Sequence, residues 1–356
     1  VTDLNDIPLR PDLRGQLPYG APQINVPVAL NVNENTFGIP EVVAVEIIQR
    51  LAAEVIGLNR YPDREFMQLR GKLADYLGFG LIPEQLWAAN GSNEILMQAF
   101  QAFGGPASSA ISFGPTYSMY PNIARISLTP YREYEREANF ELSADYVAQR
   151  IRDSKPGIVL LCSPNNPTGT PISLEVIEAA YQAFDGILIV DEAYAEFSEE
   201  ESALSLLSGR PRLMISRTMS KAFAFAGARV GYVAADASAI DALRIVRLPY
   251  HLSSLTQAAA LAALSFSELL LENVAQIKGQ RDRIVRQVTG MGLRAYRSDS
   301  NFVLVEGFKD PNGVFERLLE RGVLIRNVGI PNTLRFTAGT ESETTKLLAE
   351  LALVLD

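Results

Sequence analysis

The spacing of hydrophobic positions changes character twice along the chain. After an irregular start, apolar residues recur at helical spacing over 41–55, 64–77 and 93–103. Short apolar runs then alternate with amphipathic segments: SSAISF (108–113), GIVLLCSP (157–164), GILIVDEAY (186–194), RLMISRTMS (212–220) and RVGYVAAD (229–236). Apolar runs of this length, bounded by turn residues, suit strands buried on both faces. Their alternation with helices predicts an α/β domain with a mostly parallel sheet. From residue 255 the pattern shifts to long helices over 255–290, a strand in NFVLVEG, a helix at 311–321, two further strand-like runs (GVLIRNVG, TLRFTAG) and a terminal helix. That predicts a second, smaller α+β domain. The first 40 residues, rich in Pro, Asn and Gly, read as an extended arm. The expected organisation is an arm over 1–40 that joins the small domain, a large domain over 41–254 and a small domain over 255–356.

Polar residues gather where the predicted strands end, which is where open α/β sheets bind ligands. SPNNPTG (163–169) follows one strand, Asp191 closes another, and Ser216 to Lys221 follow a third. Lys221 has no carboxylate within five residues and has Met219 and Phe223 for neighbours. Alone, such a lysine is read as one that snorkels from a helix start. Desolvated beside other cations, however, its amine is freed to condense with a carbonyl. Arg229, Thr218 and Ser220 supply the charge and hydroxyl groups that hold a phosphate. A phosphate beside an amine-reactive lysine points to pyridoxal 5′-phosphate (PLP). That cofactor needs a buried carboxylate at its pyridine nitrogen, for which Asp191 is the candidate, and donors at its phenolic oxygen, for which Tyr194 and Asn166 are. ANGSNEIL (89–96) adds Ser92 and Asn93 at a helix start. Taken singly, Asp191 would be a cap and Asn166-Pro167 a turn.

Composition removes competing chemistries. One histidine, His251, and one cysteine, Cys162, leave no His/Cys set for a transition metal and no disulfide framework. A Ser-His-Asp hydrolase would depend on His251 alone. The net charge of −9 disfavours nucleic acid and anionic membrane as partners. Without a signal-like start, an 18-residue apolar run, a G-x-G-x-x-G or a Walker loop, the chain reads as a cytoplasmic protein that is not a nucleotide-binding dehydrogenase.

The joint pattern is more specific than its parts. SPNNPTG, then DEAY, then SK, then Arg229, with Asp191 25 residues after Asn166 and Lys221 30 after Asp191, resembles the aspartate-aminotransferase-like family of PLP enzymes (fold type I) over essentially the whole chain. The resemblance implies that Lys221 carries the cofactor and moves the proton, and that Asp191 pairs with the pyridine nitrogen. Tyr194 and Asn166 then bond the phenolic oxygen, and Tyr117 stacks on the ring. Ser92, Asn93, Thr218, Ser220 and Arg229 hold the phosphate. It further implies a homodimer with shared active sites, Tyr61 of NRYPD reaching the partner's cofactor, and Arg335 clamping a substrate carboxylate.

LPYGAPQ, NVNEN, PTYSMY, SRTMSKAFAFAG and RLPYHLSS are most similar to the histidinol-phosphate aminotransferase branch. Those enzymes exchange an amino group between L-glutamate and the imidazole-bearing phosphate. By this likeness Tyr19, Asn33, Tyr117, Tyr250, Arg326 and Arg335 contact small-molecule substrate. Thr36 and Tyr120, which depart from the branch's usual residues, are expected at the substrate end. The alternative is an aminotransferase for phenylalanine and tyrosine.

Overall fold

The alternating apolar runs form one sheet. In the computed structural model, which describes residues 4–355, the strands are β1 (Val28–Ala29), β2 (Leu86–Ala89), β3 (Ala110–Gly114), β4 (Tyr131–Glu135), β5 (Ile158–Cys162), β6 (Ile187–Asp191), β7 (Leu213–Thr218), β8 (Gly231–Ala235), β9 (Arg294–Ala295), β10 (Phe302–Glu306), β11 (Val323–Leu324) and β12 (Thr333–Thr337). The helices are α1 (Glu41–Ile56), α2 (Met67–Leu77), α3 (Ser92–Phe103), α4 (Tyr120–Ile126), α5 (Ala144–Ser154), α6 (Leu174–Gln182), α7 (Ala237–Val246), α8 (Ser254–Ser265), α9 (Ser267–Gly290), α10 (Pro311–Glu320) and α11 (Glu341–Leu355). Residues 1–3 of the arm and residue 356 lie outside the described residues.

Seven strands join in the order β2-β8-β7-β6-β5-β3-β4. The five from β7 to β4 run parallel, whereas β8 is antiparallel to both its neighbours. Every residue of β5 and β7 is buried, as the continuous apolar runs require of strands covered on both faces. The register sets Cys162 opposite Asp191 and Asp191 opposite Ser216. β5 and β6 therefore end at one level, β7 runs two residues further, and the turns that follow all three open into the same space.

Two strands lack the pattern that announces the others. β4 is a half-exposed edge strand of alternating Tyr, Arg and Glu, and β2 is a four-residue run ending in two alanines. The long helices expected over 255–290 are α8 and α9, which meet at Phe266 with a bend of 73°. Among the described residues no single helix is long and apolar enough to cross a membrane. The C-terminal region forms an antiparallel β12-β10-β9 sheet, and β1 of the arm pairs in parallel with β11. That pairing leads residues 31–35 of the arm across the carboxyl ends of the main sheet.

Candidate active site

A cavity of about 600 Å³ lies where β5, β6 and β7 end. Lys221 follows β7 and donates from Nζ to the Val32 carbonyl at 3.1 Å. Burial lowers its pKa to about 8; Arg335 and Arg229 push the same way, and Glu34 opposes them. The amine is thus nearer to its free form at neutral pH than an ordinary lysine.

Asp191, 2% exposed, ends β6. Its Oδ2 accepts a hydrogen bond from the Tyr120 hydroxyl at 2.9 Å, while Oδ1 is buried without a partner. Burial pushes the carboxyl up to about 6, against the effect of the Tyr120 bond. An unpartnered buried carboxylate oxygen is costly, and a cationic N–H entering the cavity would satisfy it. Behind it, Glu192 accepts from Arg217 at 2.7 Å, with Glu196 at 3.7 Å from the same guanidinium. This buried pair fastens the end of β6 to β7. Loss of either partner would strand a charge, at a cost of about 3–5 kcal/mol.

Around Lys221, the Ser220 backbone N–H donates to Thr218 Oγ1 at 3.1 Å, and Arg229 donates to Ser220 Oγ at 3.4 Å. Ser92 and Asn93 open α3 beside them. Two glycines permit this approach. A Cβ on Gly231 would collide with the Ser92 backbone nitrogen, and Gly91, at φ +85°, would meet the Arg229 guanidinium. Hydroxyls, a helix start and a guanidinium thus converge on one corner of the cavity.

On the other flank, Tyr194 accepts from Asn33 Nδ2 at 2.9 Å, which leaves its own hydroxyl hydrogen to donate. Asn166 Oδ1 accepts from Arg335 Nη1 at 2.6 Å, which leaves its amide as a donor. Tyr117 lines the wall and donates to Asn93 at 3.2 Å. The donor set, the phosphate-sized corner and the unsatisfied Asp191 oxygen fit PLP.

Arg335 is buried, which lowers its pKa to about 10. Its Nη2 donates to the Asn31 carbonyl at 2.7 Å, its Nε has no partner, and its backbone bridges to Arg326. At the mouth, Tyr19 is 51% exposed and accepts from Ser118 at 3.0 Å.

The structure does not bring every expected residue into this cavity. Tyr61 and Tyr250 stack on each other with ring centroids 4.5 Å apart, outside its walls, and Tyr61 is 79% exposed. Asn33 lines the cavity, but its amide is engaged by Tyr194 and Thr337, so it holds backbone in place. Tyr120 is not at the substrate end: it is fully buried against Asp191, because α4 begins beside that carboxylate. Thr36 hydrogen-bonds Glu343 of α11 and does not line the cavity. Glu192 and Arg217 went unmarked as site residues, and Tyr120 was expected at the wrong end, because their partners are distant in sequence or hidden inside DEAY. His251 stacks on buried Trp87 and bonds the Ala88 carbonyl at 2.9 Å. Cys162 is buried, with Sγ 3.5 Å from the Pro164 carbonyl.

Residues 26–351 match the family described as aminotransferase class I and II. The chain is 56% identical to a histidinol-phosphate aminotransferase of Paenarthrobacter aurescens, covering 99% of this chain and 96% of that one. It is 52% identical to a protein of the same name from Thermobifida fusca, over 96% and 93% of the two chains. Its fold resembles the histidinol-phosphate aminotransferase of Sinorhizobium meliloti solved in complex with pyridoxal-5′-phosphate (TM-score 0.87, 25% identity, 98% of each chain). It also resembles an aspartate aminotransferase variant of Thermus thermophilus (TM-score 0.79, 26% identity, 97% and 99% covered). With the lysine, the unpartnered aspartate and the phosphate corner in one cavity, the chain belongs to the class I and II aminotransferases, in the histidinol-phosphate aminotransferase branch.

Proposed function

We propose that the protein exchanges an amino group between L-histidinol phosphate and L-glutamate, using PLP held on Lys221. The observation that carries this reading is the pairing, in one cavity, of a desolvated lysine with a buried carboxylate oxygen that lacks a donor. PLP, when bound, supplies a carbonyl that takes up the amino group and a conjugated ring that accepts the electron pair released at Cα. The protein supplies the rest. Asp191 Oδ1 would hold a proton at the ring nitrogen. Tyr194 and Asn166 would donate to the phenolic oxygen, and Tyr117 would cover the ring. Ser92, Asn93, Thr218, Ser220 and Arg229 would anchor the phosphate. Lys221, with its amine free, would carry a proton away from and back to the substrate Cα as general base and acid.

The substrate end must accept two different anions. Arg335 offers its guanidinium fork to the α-carboxylate of glutamate and to the phosphate of histidinol phosphate. Arg326, Tyr19 and Tyr117 close the same end.

Tyr61 and Tyr250 act in this reading across a homodimer interface. Val42, Val45, Ile48, Val55 and Ile56 of α1, with Ile245 and Leu248, are exposed apolar residues that a second copy would cover. There Tyr61 and Tyr250 complete the partner's cavity. Sedimentation as a monomer would overturn this part. A cytoplasmic location belongs to the same reading, since the lone cysteine is a buried free thiol.

The experiment is a visible absorption spectrum of the PLP-loaded protein, followed by separate additions of L-histidinol phosphate, L-glutamate and L-phenylalanine. Conversion of the cofactor to its amino form at far lower concentrations of the first two supports the reading. Preferential response to phenylalanine assigns the protein to aromatic amino acids instead.

A further inference from the structure

Residues 31–35 cross the cavity as a strap fastened along its length. The Asn31 carbonyl accepts from Arg335 at 2.7 Å, and its amide donates to the Pro22 carbonyl at 2.8 Å. The Val32 carbonyl accepts from Lys221 at 3.1 Å. Asn33 donates to Tyr194 at 2.9 Å and accepts from Thr337 at 3.0 Å. Asn35 donates to the Ala222 carbonyl and accepts from the Phe37 backbone, both at 3.0 Å. Asn301 reaches the carbonyls of Asn33 and Glu34 at 3.1 and 3.4 Å.

One polar side chain of the strap takes no part in this. Glu34 is exposed and lines the cavity, and its carboxylate has no hydrogen bond or ion pair among the described residues. Lys221, Arg229, Arg326 and Arg335 supply the cations of the cavity wall, and Asp191 and Glu34 are the acids among its lining residues. Asp191 lies at the cofactor end, bound to Tyr120. Glu34 therefore presents a negatively charged carboxylate to incoming substrate. That charge repels both carboxylates of glutamate and the phosphate of histidinol phosphate. The amino group is common to both substrates. What distinguishes histidinol phosphate is its imidazole, a ring with an N–H to donate and a pKa near neutrality.

We propose that Glu34 is the specificity-determining residue for the imidazole ring, accepting a hydrogen bond from its N–H. This rests on the function proposed above. A carboxylate acceptor makes a stronger bond than a neutral one, and protonation of the imidazole strengthens it further. A phenyl ring has nothing to donate, so phenylalanine leaves the carboxylate unsatisfied; sites built to hydrogen-bond a substrate reject analogues that lack the donor. The strap makes this effective, because its fastenings hold the Glu34 backbone in place before substrate arrives.

The test uses PLP-loaded wild type, Glu34→Ala and Glu34→Gln. Wild-type turnover of histidinol phosphate is measured first, and its absence overturns the functional reading and this inference together. Given that turnover, Glu34→Ala is expected to lower kcat/KM for histidinol phosphate by about 10- to 100-fold. Activity with L-glutamate, whose carboxylates Glu34 repels, should not fall in the same variant. Glu34→Gln, which keeps an acceptor oxygen, falls between. Binding gives an independent readout. The inhibition constant of 3-(imidazol-4-yl)propyl phosphate should rise with the same variants, and that of 3-phenylpropyl phosphate should not. An equal loss with every substrate would mean that Glu34 acts through the Lys221 amine and would overturn the assignment. So would unchanged binding of the imidazole compound.

Discussion

The two ends of the cavity are built by different means. The deep end is made of adjacent strand ends, buried on both faces, whose side chains largely satisfy one another: Tyr120 on Asp191, Arg217 on Glu192, Arg229 on Ser220. The mouth is made of the arm, the C-terminal sheet and side chains that one chain leaves open, such as Tyr19. Cofactor chemistry tolerates little displacement, so it sits on the rigid sheet. Recognition of two unlike substrates needs adaptable groups, and those come from loops. Arg335 spans both ends, bonding Asn166 at one and the arm at the other.

That position makes Arg335→Ala the largest expected change. Both half-reactions should lose about 100-fold in kcat/KM, as removal of a charged two-pronged contact does. If only the glutamate half-reaction suffers in single-turnover assays, the arginine is not shared between the two anions, and the two ends of the cavity are more independent than described.

Within the deep end, Tyr120→Phe should weaken PLP binding by about 10-fold, the value of one hydrogen bond to a carboxylate. It should also raise the Asp191 pKa further, since the Tyr120 bond is what holds it down against burial. The pH above which PLP is held tightly should then move upward. Equilibrium dialysis across pH checks this, and an unmoved profile would make Tyr120 mere packing.

The smallest effect concerns the strain of the deep end itself. Lys221 sits near 8 in the folded chain, against 10.5 for an ordinary lysine. Between those values the unfolded chain binds more protons, so the stability of the PLP-free protein rises with pH across that window. Lys221→Met removes this dependence. Its PLP-free form should melt a few degrees above wild type at pH 7, for a domain of this size about 1 kcal/mol, with the gap narrowing toward pH 10. Thermal unfolding at several pH values decides it.

The same contrast explains what the sequence made legible. Continuous apolar runs predict strands β3 and β5 to β8, and turn residues after them mark Asn166, Asp191 and Lys221, because local pattern and site coincide there. β4 was hidden because an edge strand needs no apolar run. Tyr120 and the strap depend on partners 71 to 304 residues away, which no local pattern reports. Tyr61 and Tyr250 carry a family motif but lie outside this chain's cavity, stacked on each other at the exposed surface.

The central claim is that Lys221 is the residue that holds PLP. Borohydride reduction of the PLP-loaded protein, followed by proteolysis and mass spectrometry of the peptides, tests it directly. The account predicts the pyridoxyl mass on the peptide containing Lys221, and none on that peptide in Lys221→Ala. A modification found on another lysine, or undiminished labelling in the variant, would contradict it.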